Sequence, residues 1–298
     1  MTLRFQAVAA SQHALNVLRS ADGRGGEIHS AYQRTINLRF PSDQLVSLHG
    51  GQKLVAPLGI ALGLPLRSPA FERLTRGLQV VAGGGSLRIP ETGLEVALEG
   101  AAVWEPQALP RALHAAAAGR HAQDLASVLL QHENPAGLAG LVDGGDATPL
   151  VRRARPSAAQ LADGLARFDA ALLLAGAEPL LGLGPGLTPS GDDFLAGFLG
   201  TAVLALPHAA PRLREVGAQV LRLAEARTTL LSRAFLAHAL DGALAPPVDA
   251  LAAAILSAAP RETVARAARA ASGLGHTSGM DMLAGMVVAL RGLGKAAP

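Results

Sequence analysis

An α+β fold is expected for this chain of 298 residues, with a small N-terminal β-barrel or sandwich over residues 1–105 and an all-helical domain over residues 106–298. Three observations predict it. Between about Gly25 and Trp104, polar and apolar residues alternate in short runs between turn residues. Beyond Pro106 the apolar residues recur every three to four positions. Half of the chain is hydrophobic against 16% charged, with a mean hydropathy of +0.30, so compact cores can form without disulfides or structural metal.

The strands are expected at Glu27 to Tyr32, Thr35 to Phe40, Leu45 to Leu48, Leu78 to Val81, Ser86 to Ile89 and Leu94 to Leu98. Turn segments such as Pro41-Ser42-Asp43 and Gly83-Gly84-Gly85 separate them. Asn37 stands out, because Asn is disfavoured in strands unless its side chain bonds a neighbour. Helices are expected at Arg111 to Gly119, Arg120 to His132, Ser157 to Leu174, Ser190 to Leu206, Pro211 to Ala226, Thr228 to Leu240, Val248 to Ala258, Arg261 to Ser272 and Ser278 to Leu290. Asn134 to Pro156, with Asp143-Gly144-Gly145-Asp146, shows no period and reads as a surface connector.

Charge and composition exclude several function classes. The balance is 26 Lys+Arg against 23 Asp+Glu, and the pI of 10.1 follows from Lys53 and Lys295 being the only lysines, which leaves Arg as the dominant base. Those arginines are scattered and aromatics make up only 3%, so neither a basic stripe nor a stacking platform for nucleic acid is present. Zero cysteines rules out thiolate metal sites and cysteine nucleophiles and fits a cytoplasmic protein. Phe194 to Leu206 is the longest apolar run and is too short to span a bilayer, so it reads as a buried helix and no membrane partner is expected. Gln6 interrupts the small-residue run at the N-terminus, which reads as mature protein rather than a signal peptide.

The chemistry is concentrated in a glycine-rich turn, Gly182-Leu183-Gly184-Pro185-Gly186-Leu187-Thr188-Pro189-Ser190-Gly191-Asp192-Asp193, and in a later echo, Gly275-His276-Thr277-Ser278-Gly279-Met280-Asp281. Both contain S-G-x-D-x-L-A-G at one constant offset, 190 to 278, 193 to 281 and 197 to 285. Glycines at alternate positions let the backbone turn sharply and approach a ligand, and amides at a helix start attract anions. Neither a Walker lysine nor a dinucleotide fingerprint accompanies them. Ser190 and Ser278 are expected to cap two helices whose starts converge on one pocket, near the domain boundary. Plain capping would account for Asp193 and Asp281, whereas capping does not require Asp192. His276 reads equally as an acid, base or anion contact and as a loop residue. Thr228 and Ser232 share a helical face beside Thr229; a cap at Thr228 with a back-bond from Ser232 accounts for them as well as a ligand role does.

The run from Gly182 to Gly197, with Thr228-Thr229-x-x-Ser232 and Thr277-Ser278-Gly279-x-Asp281, resembles a bacterial family that includes the small third subunit of oxamate carbamoyltransferase of anaerobic allantoin degradation. The resemblance extends over most of the chain, including His29 to Leu38. It implies an enzyme complex that interconverts oxalurate plus phosphate with oxamate plus carbamoyl phosphate in purine catabolism, and hence partner subunits. The Arg-rich phosphate motifs and doubly wound α/β domains of the ornithine and aspartate carbamoyltransferases are not found here. On this reading Gly184, Gly186, Thr188, Ser190, Gly191, Thr228, Thr229, Ser232, Thr277, Ser278 and Gly279 would hold the anion: phosphate, carbamoyl phosphate or oxalurate. Asp192, Asp193 and Asp281 would bind Mg²⁺ or take up a proton, with His276 beside them. The competing expectations are a non-catalytic anion-binding or scaffolding protein and a Mg²⁺-dependent hydrolase.

Overall fold

The computed structural model describes residues 3–21, 23–54, 56–65, 69–132, 136–142 and 148–295. The chain divides into two compact units, Met1–Glu105 and Pro106–Pro298. Among the described residues the first holds a ten-stranded sheet and the second is built of helices, giving the α+β class anticipated above.

In chain order the strands are β1 (Leu3–Gln6), β2 (Ala9–Ser11), β3 (Gly25–Ala31), β4 (Thr35–Phe40), β5 (Gln44–His49), β6 (Gly59–Ala61), β7 (Gln79–Gly83), β8 (Ser86–Ile89), β9 (Leu94–Ala97) and β10 (Ala102–Trp104). They lie in the order β1-β9-β8-β7-β3-β4-β5-β6-β2-β10. β1 forms one edge, yet β2, two residues later in the chain, sits beside the other edge. Three peptide steps span at most ~11 Å, so the sheet has to curl until its edges nearly meet. Residues 7 and 8 make the junction: Ala7 N donates to Ala97 O, Val8 N donates to Ala61 O, and Ala102 N donates to Val8 O.

The inner face follows from the alternation. Ile36, Leu38 and Phe40 on β4, Val46 and Leu48 on β5, Leu87 and Ile89 on β8 and Val96 on β9 are all buried in one core. A helix absent from the sequence reading, α1 (Gln12–Ser20), packs Ala14, Val17 and Leu18 into that core and starts at Ser11, whose Oγ accepts from Ala14 N at 3.1 Å. Its shortness and polar first turn hid it. On the other face of the sheet, Asn37 justifies its place in β4 by donating to Ser30 Oγ at 3.0 Å and accepting from Ser47 Oγ at 2.6 Å. His49 is buried on that face with its Nδ1 3.1 Å from Gly50 O.

The second unit contains α2 (Ala115–Leu130), α3 (Pro149–Arg167), α4 (Ala170–Ala177), α5 (Ser190–Ala205), α6 (Ala210–Ala224), α7 (Leu230–Leu240), α8 (Pro246–Leu256), α9 (Arg261–Ser272) and α10 (Ser278–Lys295). Every residue of α5 is buried, and so is nearly all of α10, which makes these two the central pair around which amphipathic helices pack. None of the described helices is long and apolar enough to cross a membrane.

Beyond shifts of one or two residues, four helix boundaries differ from the sequence reading, one of them at α10, which continues past Leu290 to Lys295. Arg111 to His114 is not helical but runs extended beside α5, with Arg111 N bonded to Leu204 O, and Gly119 lies inside one helix rather than between two. Pro149 to Pro156 is helical: Thr148 caps α3 by accepting from Val151 N at 3.3 Å, Pro149 suits the first turn, and burial of Val151, Ala154 and Leu161 outweighs the bond lost at Pro156. Ser157 to Leu174 is broken at Phe168, in the left-handed region at φ 53°, and at Asp169, whose carboxylate caps α4. The Asp143 to Asp146 segment lies outside the described residues.

Burial holds the His49 imidazole below its ordinary pKa of 6.5, with the Gly50 carbonyl contact opposing the shift. The folded chain therefore resists protonating a ring that the unfolded chain protonates from 6.5 downward, so stability is lost as pH falls from 6.5 toward the folded value. Urea titrations of wild type and His49→Asn between pH 8 and pH 5 should show a decline on the acid side that is shallower in the variant.

Candidate functional site

The repeated octapeptide acquires its meaning from helical geometry. Residues at i, i+3 and i+7 share a face, so Ser190, Asp193 and Gly197 line one side of α5 and Ser278, Asp281 and Gly285 line the matching side of α10. Those two faces pack on each other. A Cβ on Gly197 would overlap the carbonyl oxygen of Met282, and a Cβ on Gly285 would overlap the carbonyl oxygen of Phe194. Met282 and Phe194 are themselves equivalent positions in the repeat, so the crossing is reciprocal about a local two-fold axis. The helix starts converge as expected, with Thr188 Oγ1 3.3 Å from Ser278 Oγ.

Each Asp lies one turn before its crossing glycine and is consequently trapped between the helices, Asp193 at 2% exposure and Asp281 at 0%. Burial pushes Asp193 up to about 7, opposed by the Ser278 and Thr188 hydroxyls and reinforced by Asp281. Asp281 is pushed up to about 6, again by burial, while Leu138 N, Ser190 and Thr277 oppose the shift. The hydroxyl of each repeat thus serves the carboxylate of the other. Asp281 Oδ1 also accepts from Leu138 N at 2.6 Å, and Gly137 has no room there for a side chain. The Oδ2 atoms of Asp193 and Asp281 are buried without a hydrogen-bond partner among the described residues.

The capping roles differ from the sequence reading. Pro189, in extended conformation, takes the N-cap position of α5, and Ser190 and Ser278 are the first residues of their helices. Backbone carbonyls satisfy the first amides instead: Gly191 N donates to Leu183 O, Asp192 N and Asp193 N to Pro189 O, Gly279 N to Leu274 O and Asp281 N to Thr277 O. This releases the serine hydroxyls for the opposite helix. It also leaves little of either helix start open to an anion, since Gly191 and Gly279 are buried beneath the turns.

Asp192 has structural work after all. Its Oδ1 accepts from Gly182 N at 3.0 Å and its Oδ2 from the Thr228 hydroxyl, with Ser232 also acting on it. Burial raises its pKa and these bonds oppose the rise. Thr229, not Thr228, caps α7: its Oγ1 accepts from Ser232 N at 3.0 Å and donates to Leu187 O at 2.6 Å. Ser232 Oγ reaches the same carbonyl at 3.4 Å. Thr228, Thr229 and Ser232 therefore fasten the glycine-rich turn to the start of α7. Among the described residues, no three His, Asp or Glu side chains come together as metal ligands do.

At the apex of the turn, Gly184 and Gly186 adopt φ of 111° and 104°, where other residues are strained; Gly184 is half-buried against Ser190, and open space surrounds the exposed Gly186. Among the described residues no backbone carbonyl accepts from either amide. His276 is exposed on the neighbouring turn, two residues before Ser278. Sequence reasoning missed the contributions of Gly137, Leu138 and the Leu187 carbonyl, because backbone groups on irregular segments leave no compositional trace.

Fold and site together define an α+β protein whose helical unit is built on a duplicated Ser-Gly-Asp helix start, a different construction from the doubly wound carbamoyltransferases. The chain belongs to the AllH family: the model for oxamate carbamoyltransferase subunit AllH matches residues 180–290, and that for the AllH family N-terminal domain matches residues 6–103. No solved structure matches it.

Two sets of variants probe this geometry. Gly197→Ala and Gly285→Ala should each cost about 3 kcal/mol or more, as overpacked sites with backbone on the far side do. Thr228→Val should cost about 1–3 kcal/mol by stranding a buried Asp192 oxygen. Urea unfolding measures all three, and a neutral Gly197→Ala would contradict the close crossing.

Proposed function

We propose that this chain contributes the anion-binding turn of a carbamoyltransferase complex that interconverts oxalurate plus phosphate with oxamate plus carbamoyl phosphate. In that exchange the bond between the carbamoyl carbon and the oxamate nitrogen breaks, a bond to a phosphate oxygen forms, and the nitrogen gains a proton. Membership of the AllH family supports the substrate class. The observation that carries the reading is the apex of the turn, half-buried at Gly184 and exposed at Gly186, where the amides of both have no carbonyl partner among the described residues. Such amides, with the hydroxyl of Thr188, suit a phosphate or carboxylate oxygen. His276 is the exposed titratable group on the adjoining turn and is suited to carry the proton. Asp192, Asp193 and Asp281 lie beneath the surface and serve to hold the two turns together.

A second reading, a subunit that supports assembly without touching substrate, draws on the same internal use of the carboxylates and on the carbonyl-capped helix starts. Reconstitution separates the two. If the apex binds substrate, Gly186→Ala and His276→Ala should each lower carbamoyl transfer by about tenfold or more in the assembled complex while leaving the complex intact on size exclusion. Calorimetry with phosphate, carbamoyl phosphate and oxalurate should show the matching loss of affinity. Unchanged turnover in both variants would favour the assembly role.

A further inference from the structure

The packing of α5 on α10 leaves an electrostatic problem unsolved. Two carboxylates are buried at one helix crossing, and each keeps one oxygen, Oδ2, that is shielded from solvent and has no hydrogen-bond partner among the described residues. Among the described residues, no Lys, Arg or His acts on either group. The groups that do are the hydroxyls of Thr188, Ser190, Thr277 and Ser278 and Leu138 N, and, acting on Asp193 with the opposite sign, the carboxylates of Asp281 and Asp192. Ionising a buried carboxylate pair without a compensating positive charge is costly, which is why burial raises the pKa of both groups.

We propose that Asp193 and Asp281 hold a hard divalent cation of the Mg²⁺ class between the two repeated helices, with their Oδ2 atoms as its carboxylate ligands. The donor set is oxygen alone, carboxylate and hydroxyl, which suits Mg²⁺ or Mn²⁺ and not a thiolate- or imidazole-seeking metal. Mg²⁺ needs only one or two carboxylates and completes its shell with other oxygens. The local two-fold axis gives the ion one ligand from each repeat, so it cross-links the two helix starts at the level of Thr188 and Ser278. Asp192 is not part of the site, because Gly182 and Thr228 occupy its two oxygens. The site does not depend on the anion-binding reading of the apex, since the ion lies between the helices and touches no substrate.

The test uses the full-length chain, stripped with EDTA and titrated with Mn²⁺, with free Mn²⁺ read by electron paramagnetic resonance. One ion per chain should bind, Mg²⁺ should displace it, and saturating Mg²⁺ should raise the Tm by about 2–4 °C or more. Asp193→Asn and Asp281→Asn should each weaken Mn²⁺ binding by at least about tenfold, whereas Asp163→Asn, at the exposed pair with Lys295, should leave it unchanged. Should the Asn variants fail to fold, Ser278→Ala should still weaken binding several-fold. Absence of stoichiometric Mn²⁺ binding to the wild type, or undiminished binding in the variants, overturns the proposal. A Tm unmoved by Mg²⁺ in the wild type but raised by Asp193→Asn would instead assign the pair a shared proton. Loss of phosphate binding at the apex would not bear on any of these readouts.

Discussion

The helical unit depends on one steric constraint: two helices cross so closely that only hydrogen fits at Gly197 and Gly285. Each glycine faces a carbonyl of the other helix, so neither helix can shift or rotate without a clash on the opposite side. Everything of chemical interest is referenced to this contact. Asp193 and Asp281 are buried because they lie one turn from it, and Ser190 and Ser278 exchange partners because the crossing is symmetric. The glycine-rich turn hangs from the same point through Leu183 and Asp192. The remaining helices add a shell around a pair that is already fixed.

A second level of restraint fixes the turn itself. Asp192 joins Gly182 to Thr228, and the Leu187 carbonyl receives the hydroxyls of Thr229 and Ser232. A turn with three positive-φ glycines would otherwise be the loosest part of the unit, since glycine has the most backbone freedom to lose. The ties come from the start of α7, distant in sequence, and hold both flanks while the apex at Pro185 to Leu187 stays exposed. That combination of fixed flanks and open backbone is what a preorganised binding turn requires.

Much of this was legible in the chain itself, and the exceptions share a cause. The strands from β3 to β9 that alternate cleanly, and the helices from α5 onward, announce themselves because one face is buried and the other is not. The duplicated octapeptide announced the helix pair. β1, β2, β6 and β10 are three or four residues long, too short to show a period; β2 and β6 are held by partners on both sides, and the edge strands β1 and β10 by one neighbour each. Pro156 was misleading as a boundary because tertiary burial of its helix outweighs one missing bond. The capping expectation failed because a proline preceded Ser190 and backbone carbonyls took the amides, an outcome that depends on loop conformation and not on residue type.

The junction at Ala7 and Val8 bears on how the N-terminal unit is made. These two residues bond to Ala61, Ala97 and Ala102, and β1 pairs in parallel with β9 near the far end of the unit. The curled sheet therefore cannot be completed during synthesis until nearly the whole unit has left the ribosome, because β1 waits for β9 although β2 can pair earlier with β6. Contacts of such long sequence separation make for slow folding, and until they form, both rims of the nascent sheet present unpaired backbone. Until β1 is in place, the free edge of β9 is the one most exposed to unwanted pairing with other chains.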